Sequence, residues 1–484
     1  MRPRFPRPLP TFLLLSLCGL LLGLCGLPQP WSALTPLVLA PALWLLAGGS
    51  GPLGVARRTF WLVSVYFATQ LWWLTHFMAE LSGLAAGGLL VLPLFALEGL
   101  FWALMAALVT LPLQDRLARV WALAAGWVLL EQLRTLGPLA FPWSDLGYTL
   151  LPTPLAQTAD LWGASGLSLL VAGTAASLVA LARRRPHAAL CAGALWAAGL
   201  GYSLTRVPGD GPQGQALLVR SEFDSFGRAN GSLTPGLQFQ HLLTLSRSRQ
   251  PGEITVWSET SVQDPVQLPL VPGAGIYGVY QQPRNTAQSW DGRQAGGVIY
   301  DKLKPVPMGE YFPFENSAAG RALWSRVFAL IRLSFDPPPI GQSTLPLSLN
   351  GVRYGTYICY DSIFSWVTRE LVRNGAQVLV NISNDGWYRG WGVTQHFQMG
   401  RLRAIETRRW VLRSVNMGVA AAVDDLGRPQ QVLDRGEGAL HARYRLLSGE
   451  TPYVRLGDAP ALALALGLLL PASRAQRRSQ RSKL

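Results

Sequence analysis

Apolar residues follow two different rhythms along this chain. Up to about residue 206 they come in long blocks, near 11–27, 32–48, 59–77, 83–112, 120–138, 164–182 and 188–204. A helix needs about 20 mostly apolar residues to cross a bilayer, so each block is a candidate span. From about 209 to 456 the apolar residues instead form short bursts broken by Gly, Pro and Asn. The bursts at 216–219, 254–257, 297–300, 353–358, 378–382 and 411–415 predict strands, and 237–246, 365–374 and 395–408 carry helical patterns. Strands alternating with helices predict an α/β unit. A short apolar stretch near 457–472 predicts an eighth span.

The pattern divides the chain into a membrane unit of seven transmembrane helices (1–206), a globular unit (209–456), an eighth helix (457–472) and a basic tail (473–484). The mean hydropathy of +0.22 averages over two solvents and describes neither part. The first block follows Arg2, Arg4 and Arg7 and so resembles a signal peptide. No small-residue cleavage site is evident after it and further spans follow, so a retained anchor is expected.

Loop charges orient these spans, because Lys and Arg favour the cytoplasmic side. Arg2, Arg4 and Arg7 precede the first span, Arg57 and Arg58 follow the second, Arg116 and Arg119 the fourth, and Arg183, Arg184 and Arg185 the sixth. Arg474, Arg477, Arg478, Arg481 and Lys483 follow the eighth. The loops after spans one and three have no Lys or Arg, and the connection after span five has only Arg134 near its start. The alternation predicts cytoplasmic termini and a globular unit outside. These basic residues, with only Asp115 as a nearby acid, account for nearly all of the +15 net charge. The charge is therefore topological and argues against nucleic-acid binding.

Glu98 lies inside the fourth apolar block, where a carboxylate is either functional or neutralised against a neighbouring helix or the interface. Phe141-Pro142-Trp143, Leu146-Gly147-Tyr148 and Trp162 suit an interfacial aromatic belt, and equally the entrance for a lipid.

Cys359 is the one cysteine of the globular unit; Cys18, Cys25 and Cys191 lie in apolar segments. A lone thiol ending a strand pattern is either an inert filler or a nucleophile. Its company favours the second reading. Glu259 follows Val256-Trp257-Ser258, Lys302 follows Val298-Ile299-Tyr300-Asp301, and Cys359 follows Gly355-Thr356-Tyr357-Ile358. Each alone reads as a solvated loop charge or a packed thiol, but strand ends in α/β folds converge on one pocket. There a carboxylate can take the thiol proton, and an ammonium can stabilise both thiolate and oxyanion. The combination predicts acyl transfer through a thioester.

Trp257-Ser258-Glu259, Lys302 through Pro307-Met308-Gly309-Glu310-Tyr311-Phe312-Pro313, and Ile358-Cys359-Tyr360 resemble the three catalytic motifs of the nitrilase superfamily. More narrowly, they resemble its membrane branch, the apolipoprotein N-acyltransferases. The spacing from Lys302 to Glu310 is similar to that branch, as are Ser383-Asn384-Asp385-Gly386-Trp387, Gln395-His396, the run from Arg401 to Glu406, Phe141-Pro142-Trp143 and Thr451-Pro452-Tyr453. The likeness covers essentially the whole chain. It implies an αββα nitrilase sandwich on the outer face of an eight-helix domain in the bacterial inner membrane. It also implies transfer of an acyl chain from a phospholipid, typically phosphatidylethanolamine, to the α-amino group of an apolipoprotein's N-terminal diacylglyceryl-cysteine.

By the same resemblance Glu259 is the general base, Lys302 the oxyanion stabiliser and Cys359 the nucleophile. Glu310 would orient Lys302 or the thiol, with Tyr360 giving a backbone N–H to the oxyanion and Asp361 beside it. Trp387 and Tyr388, with Phe141, Trp143 and Tyr148, would form lipid-access walls, for which ordinary core packing is the alternative. Phospholipid and apolipoprotein are the implied partners, with no metal, no nucleotide cofactor and a monomeric state expected. The chain departs from the pattern at Asp361, where a Glu is usual, at Arg220-Ser221-Glu222-Phe223, and in the loop from Trp387 to Gly392. Two rivals are a membrane-tethered amidase using the same three residues and a transporter or scaffold whose outer unit only binds ligand.

Overall fold

The long apolar blocks fold as helices in the computed structural model, which describes residues 10–469 apart from 27–28, 226, 228–230, 282, 332–338 and 389. These helices are α1 (Thr11–Cys25), α2 (Thr35–Ala47), α3 (Gly51–Gln70), α4 (Leu74–Ser82), α5 (Leu92–Thr110), α6 (Arg116–Leu133), α7 (Ala159–Ala182) and α8 (Pro186–Leu204). Helices occupy each of the eight predicted stretches, the last of them at Ala459–Leu469. Three helical stretches among the described residues, Pro30–Ala47, Ala85–Thr110 and Pro154–Ala182, are long and apolar enough to cross a bilayer. The expectation of eight such spans is therefore met at three. Arg57 and Arg58 lower the apolarity of α3, and Arg116, Arg119 and Glu131 that of α6, while α1 and the last helix are short. The predicted tail and the arginines before residue 10 lie outside the described residues.

Glu98 turns inward on α5, 1% exposed, and its Oε2 lies 3.0 Å from Nε of Arg134. Leu100, Leu104 and Leu108 of the same helix point outward and are more than half exposed.

Among the described residues the second half is built on twelve strands: β1 (Gln213–Ser221), β2 (Ile254–Val256), β3 (Gly275–Gln281), β4 (Arg284–Trp290), β5 (Ala295–Asp301), β6 (Leu347–Leu349), β7 (Val352–Ile358), β8 (Val378–Asn384), β9 (Val411–Asn416), β10 (Ala420–Val423), β11 (Pro429–Leu433) and β12 (Gly438–Arg445). They form one sheet in the order β5-β4-β3-β2-β1-β9-β8-β7-β6, with β12 added beside β1 and the β10–β11 hairpin beside β9. The six strands from β3 to β7 along this order run parallel. β4 and β5 reverse twice, so β5 runs in the same direction as β3. The carboxyl ends of β2, β5, β7, β8 and β9 therefore open on one side, together with the start of β4. That is the side on which α/β folds place their ligands.

Between the strands lie α9 (Pro235–Leu245), α10 (Ala318–Ile331), α11 (Ser365–Arg373) and α12 (Trp391–Thr407), and after β12 come α13 (Pro452–Leu456) and α14 (Ala459–Leu469). α12 packs on α7 of the bundle on one side and on β9 on the other, joining the two halves. The join depends on a break in α7 at Gly163, whose φ is +69°. The break frees the N–H of Ala164, which donates to Oε1 of Glu406 on α12 at 2.9 Å. A buried carboxylate thus caps the resumed helix. A β-carbon at Gly163 would lie 2.4 Å from the Tyr453 ring, so the close approach requires glycine there. Nearby, Arg408 binds Asp160 of α7 at 2.7 Å, and the Asp160 carboxylate also accepts from the Tyr202 hydroxyl at 2.8 Å.

Candidate active site

Glu259 stands in the turn after β2, and its carboxylate is satisfied on every side. Oε1 accepts from Nζ of Lys302 at 2.9 Å and from Nδ2 of Asn285, near the start of β4, at 2.7 Å. Oε2 accepts from the backbone N–H of Asn384, the last residue of β8, at 3.0 Å. The carbonyl of that same Asn384 lies 3.9 Å from the Cys359 sulfur, so one residue spans from base to thiol.

Lys302 follows β5 directly and is 4% exposed. Its Nζ also donates to Oε1 of Glu310 at 2.7 Å, and Glu310 Oε2 accepts from the N–H of Val306 at 2.7 Å. Glu310 thus closes its own loop while holding the ammonium. Burial alone would lower the Lys302 pKa, but Glu259 and Glu310 raise it well above the usual lysine value. The group is a fixed cation.

Cys359 begins a 3₁₀ turn, Cys359–Ile363, at the end of β7, and its φ is +48°. A non-glycine residue in the left-handed region costs on the order of 1 kcal/mol or more, so the surroundings must impose it. Asp361 does much of this. Its carboxylate accepts from the N–H groups of Ile358 (3.1 Å), Leu303 (3.4 Å) and Lys304 (2.7 Å) and from the Tyr300 hydroxyl (2.8 Å). It therefore ties the residue before the thiol to the residues after Lys302. The shorter side chain reaches all four donors. Burial pushes the Cys359 thiol up, Glu259 pushes it further, and Lys302 pulls it back, leaving it above its ordinary value. The resting group is the thiol.

A buried charged floor lies beneath this turn. His396 Nε2 sits 2.7 Å from the Ser362 hydroxyl and 3.2 Å from the Cys359 carbonyl, and its Nδ1 is 2.8 Å from Oδ1 of Asp385. Arg413 donates to Oδ2 of Asp385 at 2.6 Å. Burial works to raise the Asp385 pKa, but Arg413 and His396 hold it well below the usual carboxylate range.

The structure gathers Glu259, Lys302, Glu310, Cys359 and Asp361 into one cluster. Tyr360 is buried beside it, with its hydroxyl donating to the Ala140 carbonyl of the helical half at 3.3 Å. Tyr360, Leu303, Lys304, Phe312 and Phe314 line a cavity of about 590 Å³ that reaches Pro138. The cavity adjoins the thiol's neighbours, but the sulfur itself does not line it.

The proposed access aromatics divide. Trp387 is partly exposed and meets Phe77 edge to face at 6.3 Å. Phe141 stacks on Trp143. Trp143 and Tyr148 are 1% and 3% exposed and are core residues rather than an entrance wall. Trp143 donates to Gln395 at 2.8 Å, and the Tyr148 hydroxyl accepts from Arg403. Tyr388 is equally enclosed, against Trp73, Trp143 and His396. A polar handle at the right depth let these rings be satisfied inside the protein.

Sequence reasoning missed Asn285 and gave no role to the Asn384 peptide. Asn285 lies in the polar run Arg284-Asn285-Thr286, which carries no strand pattern, and only the β3–β4 hairpin register aims it at Glu259.

This fold and cluster define a class. The family model described as carbon-nitrogen hydrolase matches residues 279–443. The one described as apolipoprotein N-acyltransferase N-terminal domain matches residues 18–177. An apolipoprotein N-acyltransferase of Bordetella bronchiseptica is 31% identical across 97% of both chains. One of Azotobacter vinelandii is 32% identical, over 83% of this chain and 82% of that one. A solved amidase from Nesterenkonia sp. overlaps 53% of this chain and 97% of its own, at 16% identity and a TM-score of 0.36. The chain belongs to the apolipoprotein N-acyltransferase family.

Proposed function

We propose that this protein moves an acyl chain from a phospholipid, phosphatidylethanolamine in the first instance, to the α-amino group of an apolipoprotein's N-terminal diacylglyceryl-cysteine. The observation that carries the reading is the Glu259–Lys302–Glu310 array, buried at Glu259 and Lys302, set electrostatically against Cys359 at the shared strand edge. Family membership and the names of the relatives support the acceptor.

In the first half-reaction Glu259 takes the thiol proton as sulfur attacks the ester carbonyl, since the free thiolate is disfavoured by burial. The Lys302 ammonium faces the developing oxyanion. The C–O bond breaks, Glu259 returns its proton to the leaving oxygen, and lysophospholipid departs from the thioester. In the second half the acceptor amine attacks the thioester, Glu259 takes one amine proton and passes it to the departing Cys359 sulfur, and the amide is released. Residues 209–456 act on the extracytoplasmic face, tethered by the helices of 1–206 and by the helix near 457–472, with both termini cytoplasmic. The outward leucines of α5 and the three long apolar helices support a membrane setting.

The test is to incubate purified protein with phosphatidylethanolamine carrying a labelled acyl chain, beside Cys359→Ala and Cys359→Ser, and then add a diacylated lipopeptide. Label should reach Cys359 as a hydroxylamine-sensitive thioester and then pass to the peptide amine; Cys359→Ala should take none. Thioester that only hydrolyses would move the reading to the amidase, and an unlabelled but folded wild type would refute the thioester.

A further inference from the structure

The other end of the bundle carries chemistry that acyl transfer does not use. α3 runs from Gly51 to Gln70, about 30 Å at a helical rise of 1.5 Å per residue. Its carboxyl end meets the sheet half, where Gln395 donates to the Gln70 carbonyl at 3.2 Å. At its amino end, arginines from three helices surround the close of α2. Arg116 of α6 donates through Nε and Nη2 to the Trp44 carbonyl at 3.2 and 2.6 Å, and Arg58 of α3 donates to the Leu45 carbonyl at 2.6 Å. Arg119 of α6 donates to the carbonyls of Gly49 and Leu113, each at 2.9 Å. The Arg116 guanidinium covers the Trp44 ring at 3.6 Å, and that of Arg183, just past α7, approaches the same ring at 5.3 Å.

Capping α2 explains part of this arrangement, because helix carboxyl ends attract cations. It does not explain the crowding. A β-carbon at Gly48 would lie 2.6 Å from Nη2 of Arg116 and 3.0 Å from Nη1 of Arg58, so two like charges converge on one point. α3, α6 and α8 begin at this end while α2, α5 and α7 close there, so the helix dipoles largely offset one another and the guanidinium charge dominates. Among the described residues none of Arg58, Arg116, Arg119 and Arg183 forms an ion pair. Asp115, which precedes Arg116 in the chain, is engaged by the N–H of Ala118 at 2.7 Å. Residues 1–9 and 470–484 contain no Asp or Glu to supply the missing charge. Leu53, Leu181 and Leu190 stand exposed near this end of the bundle, where acyl chains would lie.

We propose that this arginine cluster is a binding site for the phosphate of an anionic phospholipid, held by Arg58, Arg116 and Arg183 beside Trp44. Guanidinium groups suit phosphate because they offer paired N–H donors, and Arg58 and Arg116 each keep some of theirs. The exposed leucines select a lipid over a soluble phosphate. The site rests on the membrane reading of the helices and is independent of the thioester chemistry.

The test follows thermal unfolding of the full chain in a neutral detergent, with phosphatidylglycerol, phosphatidylethanolamine or glycerol phosphate added at equal concentration. Phosphatidylglycerol should raise the midpoint by several degrees more than phosphatidylethanolamine, which binds only as the proposed acyl donor, and glycerol phosphate should not raise it. In Arg58→Gln/Arg116→Gln/Arg183→Gln the apparent Kd for phosphatidylglycerol should rise at least about tenfold. Arg183→Gln alone, which removes no hydrogen bond seen among the described residues, should weaken binding severalfold and serves should the triple variant not fold. Labelling of Cys359 should persist in Arg183→Gln, which separates failure of this site from failure of the catalytic reading. A phosphatidylethanolamine shift that Arg183→Gln lowers as much as it lowers the phosphatidylglycerol shift would overturn the preference for an anionic lipid, an equal shift from glycerol phosphate would overturn the lipid ligand, and unchanged phosphatidylglycerol binding in both variants would overturn the residues.

Discussion

Asp361 and Asp385 are both fully buried, lie on either side of the thiol's turn, and titrate in opposite directions. Asp385 faces Arg413 and His396, whereas Asp361 is met mostly by uncharged N–H and O–H donors and is raised by burial to about 6. Its ordinary value is 3.8, so the folded chain holds this proton more tightly than the unfolded one. The stability it contributes is greatest when both states are protonated, falls as pH rises from about 4 to about 6, and is level above that. The unfolding midpoint of Asp361→Asn, followed from pH 4 to pH 7, should therefore gain on wild type across that window, by the equivalent of about 3 kcal/mol. A constant gap would refute it. At Lys302 the expectation concerns rate as well as stability. Lys302→Met leaves Glu259 and Glu310 facing each other without their shared cation, which should destabilise by about 3–5 kcal/mol. Acylation of Cys359 should fall at least about 10²-fold. A variant that keeps a tenth of wild-type acylation would remove Lys302 from the chemistry.

At the scale of elements, the position of Glu259 depends on a residue that touches no substrate. A β-carbon at Gly278 of β3 would lie 2.3 Å from the Ser258 carbonyl, 2.8 Å from Cα of Glu259 and 2.9 Å from the N–H of Thr260. These are backbone atoms that cannot swing aside. Gly278→Ala should displace the carboxylate and slow acylation about 10²-fold; an unchanged rate in the folded variant would show that the turn tolerates the shift. Such a glycine was invisible in the sequence, where it interrupted the apolar pattern of β3. The strands whose ends carry Glu259, Lys302 and Cys359 were legible because each is an apolar burst stopped by a charge or thiol. β3, β4, β6 and the three strands after β9 were not, because many of their positions are polar or small and break the apolar rhythm. Of the eight expected spans, three are long and apolar enough among the described residues to cross a bilayer, because arginines at the starts of α3 and α6 dilute the apolar windows read from the sequence. Trp143 and Tyr148 were assigned to an entrance because sequence gives a ring's depth and not its partner.

At the scale of the molecule, the two halves are bolted together by buried polar contacts rather than by an apolar seam alone. Glu406 caps the resumed α7, and Arg408 reaches across to Asp160. Removing the last of these leaves Asp160 with only the Tyr202 hydroxyl among its described partners. Arg408→Ala should lower stability by about 2–4 kcal/mol, less than for a fully sealed pair because Arg408 is 16% exposed. An unfolding midpoint within a degree of wild type would show that this contact does not join the halves.

The first and last long strands of the sheet carry a mechanical consequence. β1 and β12 lie antiparallel with Gln213 opposite Arg445, so the stretches leading from α8 and toward α13 leave from the same rung. Tension that drew those two tethers apart would load this ladder from its open end, one pair at a time, in the manner of a zip rather than a glued overlap. A zip resists with the strength of a single rung, so lateral stretch should find this seam before any other part of the sheet.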